Sequence, residues 1–448
     1  GAATAAAQQP FDLDPSFRTT IPARYMTSIL PSDDGQVWIS GYDWSAIAPY
    51  YNRLNHDGTG DMAAPYLLHA GFFRKWGDMH YCGVALVDRY FQDGTRDTSF
   101  NMNRSPAYHP LQGGDYHVLP DGGLLVSGVN RLYDSLPGPV GYFCLLRFTN
   151  NGSLDTTFQP RTCAGSLDFF TELPNGQFIG SLGNPPNTAT WDGQTTGSNI
   201  IRFNADGSWD STFQSNVWWG GAWGYLPLAD GRVYVGGCFK IAGISDTLGL
   251  VRLMPDGSLD PTFNNTARYR MPDPEHPDYI TYPGIGSIRQ LPDSRLIITG
   301  YFSNIDGVSR GGIALLDSTG QLLDELFAGN GCGGFYGDVG GYIRGITSMV
   351  DAPDGSLYIF GGYRGYDDGT TNDPNQWLIS RLYGLNVGIS EHGAGQVAQL
   401  QIAPNPSAGQ TVLSLEAPVQ NGMLTIHDAS GRVVWQEPWP AGAYTHTL

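Results

Sequence analysis

Lysine is nearly absent from this 448-residue chain, with only Lys75 and Lys240. The other cations are arginines, mostly one per internal repeat, and the net charge is −18. No basic patch exists to neutralise phosphates, which argues against nucleic acid as a partner. The same deficit argues against an anionic membrane surface. No run of about 20 apolar residues occurs, so no helix is expected to span a bilayer. Glutamate is also scarce: Glu172, Glu275 and Glu325 are the only three before residue 390. Glycoside hydrolysis usually needs two carboxylates about 5–10 Å apart. Only Glu275, beside His276 and near Asp273, sits in an acid–base-like cluster, and a solvated loop is the simpler reading of it.

Cysteines number five (Cys82, Cys144, Cys163, Cys238, Cys332) and lack metal-type spacing. An odd number cannot pair fully. Buried free thiols are expected, with one disulfide involving Cys144 or Cys163 as the alternative. Nine histidines show no HExxH-type spacing, and no nucleophile elbow, P-loop or dinucleotide fingerprint appears. The first residues are Ala-rich without a charged n-region or apolar h-region. They are compatible with what remains after signal-peptide removal.

What the chain has is glycine (61), proline (30) and aromatics (12%). That composition belongs to a turn-rich β protein and not to a disordered one. One motif tail recurs six times: FDLDPSF (11–17), DGTRDTSF (93–100), NGSLDTTF (151–158), DGSWDSTF (206–213), DGSLDPTF (256–263) and TGQLLDELF (319–327). A second recurs in step with it: LPSDDG (30–35), LPDG (119–122), LPNG (173–176), LADG (228–231), LPDS (291–294) and APDG (352–355). Regular repeats of this length fix the architecture.

Residues 285–327 read as four short strands with two tight turns and one longer loop, a β-meander. The turns carry Asp-Gly or Thr-Gly because hairpins need positive φ. The closing Phe (Phe17, Phe100, Phe158, Phe213, Phe263, Phe327) is expected to pack between neighbouring sheets, each contributing about 1.5–3 kcal/mol. The Asp three residues earlier (Asp14, Asp97, Asp155, Asp210, Asp260, Asp324) is expected to accept backbone N–H bonds as a structural group. Six first-turn motifs imply six blades. The sixth has its third strand (377–384) but no closing tail, and the missing piece sits at 11–17. The spacing therefore predicts a six-bladed ring in which the N-terminal segment is the outer strand of the last blade, removing the open edge.

VRLMPDGSLDPTF (251–263) and IRFNADGSWDSTF (201–213) resemble the delta-60 repeat family of bacterial β-propeller-like proteins. The resemblance covers about residues 11–385 and implies no defined activity. The pattern ends near Gly388, and 389–399 reads as a linker. Beyond it, Pro404-Asn405-Pro406, the strands at 411–415 and 425–428, and the turn at Gly431 resemble the C-terminal sorting domain of type IX secretion substrates of Bacteroidetes. The resemblance implies export across the outer membrane, recognition by the type IX machinery, and a secreted or cell-surface location. Short alternating strands suggest a small Ig-like β-sandwich at 400–448. That family normally continues through a Gly-x-Tyr strand and a last strand, so the sandwich is expected to be incomplete at Leu448.

In a four-stranded meander the second connection and the blade-to-blade link share one face. The 42–82 segment, read as an insertion in the first blade, and the links at 216–223, 267–284 and 328–342 therefore gather there. They are rich in aromatics among Gly, Asp and Arg. Such surfaces suit carbohydrate stacking or a protein interface. Trp218, Trp219, Trp223, Tyr269, Tyr282 and Tyr336 are the candidate binding residues. Asp367, Asp368 and Asp373 form a Gly-containing acidic loop of the kind Ca²⁺ uses, without EF-hand spacing; a plain polar loop is the simpler reading. No cofactor and no catalytic residue are expected. The sequence reads as an exported binding or structural propeller that engages a glycan or cell-surface protein. The alternatives are a glycan-active enzyme on the same scaffold, or secretion cargo or a subunit of a larger surface assembly.

Overall fold

The computed structural model describes residues 9–21, 23–42, 52–65, 67–102, 107–133, 140–183, 189–272, 274–275, 283–337, 341–385, 400–403, 412–415, 422–427, 433–439, 443 and 445–447. Residues 10–385 form one compact unit; residues 1–9 with 386–448 form the other.

Among the described residues of the larger unit, every major strand belongs to an up-and-down antiparallel sheet. The first strands are Tyr25–Pro31, Phe72–Trp76, Tyr108–Val118, Leu167–Glu172, Val217–Pro227, Gly284–Gln290 and Gly345–Asp351. Each pairs with a second strand, which pairs with a third. Each first strand lies beside the first strand of the next sheet, and the seventh lies beside the first. These sheets are the blades of a ring, and there are seven where the motif count predicts six. The extra one is blade 2 (Phe72–Phe100), which begins inside the 42–82 segment read as an insertion. Its first turn is Trp76-Gly77-Asp78-Met79, with no Leu-Pro, while Phe73, Tyr81 and Tyr90 are core residues. Blade 1 ends through Asn55-His56-Asp57-Gly58 and lacks a closing Phe.

The repeated residues hold the blades. All six closing Phe side chains are buried. The repeated Asp accepts the N–H two residues on, as in Asp210 to Thr212 (3.0 Å) and Asp260 to Thr262 (2.8 Å). Its second oxygen pairs with an Arg eight residues earlier: Arg89–Asp97, Arg202–Asp210 and Arg252–Asp260, each at 2.7 Å. That arginine is the one cation per repeat seen in the sequence. Blade 6 has leucine in its place, and Asp324 pairs with Arg310 instead.

The two ends of the larger unit meet in blade 7. The N–H of Asp14 donates to Arg381 O (2.9 Å), and that of Tyr383 to Asp12 O (3.0 Å). Arg381 pairs with Asp14 at 3.3 Å, which reproduces the Arg–Asp pair of blades 2 to 5 between the two ends of the unit. Neighbouring blades are tied by an N–H just after the closing Phe. Gln214 donates to Asp256 O and Asn264 to Thr319 O (2.8 and 2.7 Å). Arg18 donates to Asp57 O in the same way (2.9 Å), joining blade 7 to blade 1.

In the second unit, Leu400–Ala403, Val412–Leu415 and Thr445–Thr447 form one sheet, and Gly422–His427 pairs with Val433–Trp439 in another.

Candidate functional site

The first strands surround an axial cavity of about 540 Å³ to which all seven blades contribute. Six of the seven first strands carry a β-bulge at the same depth. The pairing register shifts between Met26 and Ser28, Gly113 and Tyr116, Leu167 and Phe170, Ala222 and Gly224, Ile285 and Ser287, and Ile346 and Ser348. An extra residue in one strand breaks the alternation of faces and re-aims side chains. Thr27, Asp115, Phe169, Trp223, Ser287 and Thr347, from these bulges, all line the cavity. Glycine sits where adjacent strands come closest: a Cβ on Gly224 would lie 2.5 Å from Gly286 O, and one on Gly286 2.3 Å from Thr347 O. Serines staple one blade to the next. Ser127 Oγ accepts from Asp115 N (2.7 Å) and donates to Asp168 O (3.0 Å), and Ser181 Oγ accepts from Ala222 N (3.1 Å).

Blade 2 differs, because its first strand pairs without a register shift. It supplies Arg74, which pairs with Asp115 at 2.9 Å and donates to Phe73 O at 3.1 Å. The guanidinium lies over the rings of Phe72 (5.4 Å) and Tyr116 (5.6 Å). Burial pushes the Asp115 carboxyl up, with Arg74 opposing it. Beside this pair His117 meets Glu172 at 3.1 Å. Burial lowers the imidazole pKa, with Glu172 opposing it. Across the ring Tyr301 Oη contacts Tyr25 Oη and lies 3.3 Å from Thr347 Oγ1. The Trp223 ring meets that of Tyr301 edge-on at 6.4 Å.

Of the residues singled out in the sequence, Trp223 lines this cavity. Trp218 and Trp219 lie further back on the same strand, both half-buried. Trp218 is the extra residue of a second bulge, and Trp219 stacks under Lys240 (5.5 Å). Tyr269 is not a surface ring. It is 1% exposed, packs on Phe302, and belongs to the core between blades 5 and 6. Its place in a β-bridge with Ile305 turns it inward. Tyr336 is exposed and packs at a tilt against Tyr342 (5.1 Å); its hydroxyl lies 3.3 Å from Glu275 N. Tyr282, Asp273, His276 and the sorting-motif residues Pro404, Asn405, Pro406 and Gly431 lie outside the described residues.

The acidic loop is engaged by protein donors. Asp367 accepts from Asn330 N and Nδ2 and from Gly369 N. Asp368 accepts from Leu13 N (2.6 Å), Thr370 N and Thr371 N, so it anchors the N-terminal strand. Asp373 takes Arg18, Asn375 N and Gln376. No cluster of three metal-ligating side chains occurs among the described residues. Cys144 and Cys163 form a disulfide, while Cys82, Cys238 and Cys332 are free and buried.

Sequence reasoning looked to the loops and missed the axis. Asp115, Phe169, Tyr225 and Thr347 sit in first strands whose bulges disturb the period-2 pattern used to assign faces, while Arg74 sits in the unbulged first strand of blade 2, which lacks the Leu-Pro turn motif. The position itself was visible, since each bulge falls three to five residues before the LPDG-type turn.

Residues 119–158, 188–213, 228–263 and 291–322 match a family model described as a domain of unknown function, DUF5122, beta-propeller. The fold is an all-β propeller. No curated protein matches the sequence. Among solved structures, PorZ is described as an essential surface component of the type-IX secretion system of Porphyromonas gingivalis. It is 12% identical with a TM-score of 0.38, covering 100% of this chain and 56% of that one. The extracellular domain of the hybrid two component system BT3049 from B. thetaiotaomicron is 10% identical with a TM-score of 0.35, covering 93% and 65%. The gluconolactonase XC5397 from Xanthomonas campestris is 13% identical with a TM-score of 0.23, covering 59% and 82%. The chain thus spans less than two thirds of the length of the first two. Likeness at this level carries no functional argument.

Proposed function

We propose that this chain is an exported, cell-surface binding propeller whose ligand seat is the axial cavity. The observation that carries the reading is the cavity wall: bulges at one depth in six blades turn aromatic and hydroxyl side chains towards the axis. Bulges of this kind recur next to functional sites, and about 540 Å³ falls within the size range of ligand pockets. The ligand is a glycan or a segment of a surface protein. The C-terminal segment, with its resemblance to type IX sorting domains, supports export through that machinery. The Cys144–Cys163 disulfide fits an oxidising compartment outside the cytoplasm. Binding without turnover is the favoured reading because Glu275, the glutamate singled out in the sequence, is exposed and does not line the cavity.

The test is a glycan-array and pull-down screen with the full chain beside Trp223→Ala and Glu275→Gln. Ligand capture that disappears in the first variant and persists in the second supports the axial seat. Product release from polysaccharide, abolished by Glu275→Gln, would establish a glycan-active enzyme instead.

A further inference from the structure

We infer that the axial cavity takes an uncharged saccharide, with its C–H face stacked on the rings of blades 4 and 5 and its hydroxyls anchored by Arg74. This deepens the binding reading above and rests on it.

Charge is the first argument. Among the described residues, Arg74 and Asp115 are the charged ones that line the cavity, and they pair with each other. The wall therefore sums to zero. An anionic ligand would enter a protein of net charge −18 with Asp115 beside its binding partner. A cationic ligand would meet Arg74. A neutral ligand meets neither penalty.

Distribution is the second. Phe169, Trp223 and Tyr225 come from neighbouring blades 4 and 5, whereas Thr27, Ser287, Thr347 and Ser348 come from blades 1, 6 and 7. The wall of blades 4 and 5 is therefore mainly aromatic, and the opposite wall carries these hydroxyls together with the rings of Tyr25, Tyr301 and Phe360. A pyranose has the same two aspects, a C–H face and a hydroxyl rim. Aromatic rings supply apolar area to the first, and each Ser or Thr hydroxyl can donate and accept towards the second.

Arg74 is the third. Phe73 O, Asp115 and the rings of Phe72 and Tyr116 fix its guanidinium. Its side chain is nonetheless 38% exposed, within the cavity lining. Those bonds engage two of the five N–H donors that a guanidinium carries. The rigid fork thus presents paired donors to adjacent sugar oxygens, in a pre-ordered geometry that a lysine would not supply.

The experiment titrates the full chain with cellobiose, lactose, maltose and N,N′-diacetylchitobiose as neutral probes. A glucuronate disaccharide and a glucosamine disaccharide serve as charged ones. Calorimetry and tryptophan fluorescence are the readouts. Saturable binding of a neutral probe is expected, nearly unchanged between about 50 and about 500 mM salt. It should weaken about tenfold or more in Trp223→Ala and in Arg74→Lys, which keeps the charge beside Asp115 but loses the fork. Trp435→Phe, in the other unit, should bind as wild type. Binding confined to charged probes and lost with salt overturns the inference. Neutral binding indifferent to Arg74→Lys overturns it too, as does no neutral binding at all. Charged-probe binding that still needs Trp223 keeps the axial seat and overturns only the neutrality of its ligand. Binding that no cavity variant alters removes both.

Discussion

At the scale of single residues, the repeated Asp shows how a scaffold group can resemble a catalytic one. Asp210 is pulled two ways. Burial raises its pKa, while hydrogen bonds from Thr212, Arg202 and Gln177 lower it further, to about 2. Its pKa lies below that of the unfolded chain, so its contribution is present above about pH 4 and lost as pH falls towards about 2. A shift of this size corresponds to about 2 kcal/mol. Asp210→Asn should therefore lower the unfolding midpoint at neutral pH, and the gap from wild type should close near pH 2. Thermal unfolding of both proteins across that range checks it. A second residue gives the opposite sign. The first turn of blade 6 holds Ser294 at φ 71°, where blades 3 and 7 use Gly122 and Gly355 at 82° and 86°. A side chain in the left-handed region costs about 1–2 kcal/mol. Ser294→Gly should raise stability by about 1 kcal/mol after the extra freedom of unfolded glycine is set against it. A higher urea midpoint with an unchanged slope would be the signature.

Elements built from these residues differ in how openly the sequence declares them. Closing Phe residues and Asp-Gly turns are local and repeated, so the meander and its core positions are legible. Blade 2 is not, because Trp76-Gly77-Asp78-Met79 makes the first turn without the motif. The axial bulges are hidden for a related reason, since an extra residue breaks the alternation that reveals which face is buried. The contact between blades 1 and 2 is also non-standard. His80 is 3% exposed among Trp38, Phe73 and Tyr90, with no partner at Nε2. Burial pushes its imidazole down to about 4. The unfolded chain takes up this proton near pH 6.5 and the folded chain only near 4. Stability is therefore full above about pH 6.5 and falls through that window, by about 3 kcal/mol. His80→Phe should flatten the stability profile between about pH 4 and 6.5 while leaving the carboxylate-driven loss below it. Chemical denaturation at fixed pH steps separates the two.

For the whole molecule, the ring is closed by non-local bonds that copy local ones. Arg381–Asp14 repeats the Arg–Asp pair of blades 2 to 5, and Arg18 N to Asp57 O repeats the inter-blade link. Closure was legible from the displaced tail at 11–17 even though the blade number was not, because a missing strand can be located without counting blades. Its consequence is mechanical. Without residues 10–18, the outer edge of Asn372–Leu382 loses its partner, the Phe17 pocket against Tyr358 empties, and Asp368 loses the Leu13 N–H. An unpaired edge beside exposed apolar surface is a template for association. Removing residues 1–18 should therefore lower the unfolding temperature and produce soluble aggregates. Removing residues 1–8, which leaves the paired segment in place, should do neither. Light scattering during a thermal ramp distinguishes the two truncations. Equal behaviour would mean that blade 7 holds its edge without the N-terminal strand and that the ring does not depend on its clasp.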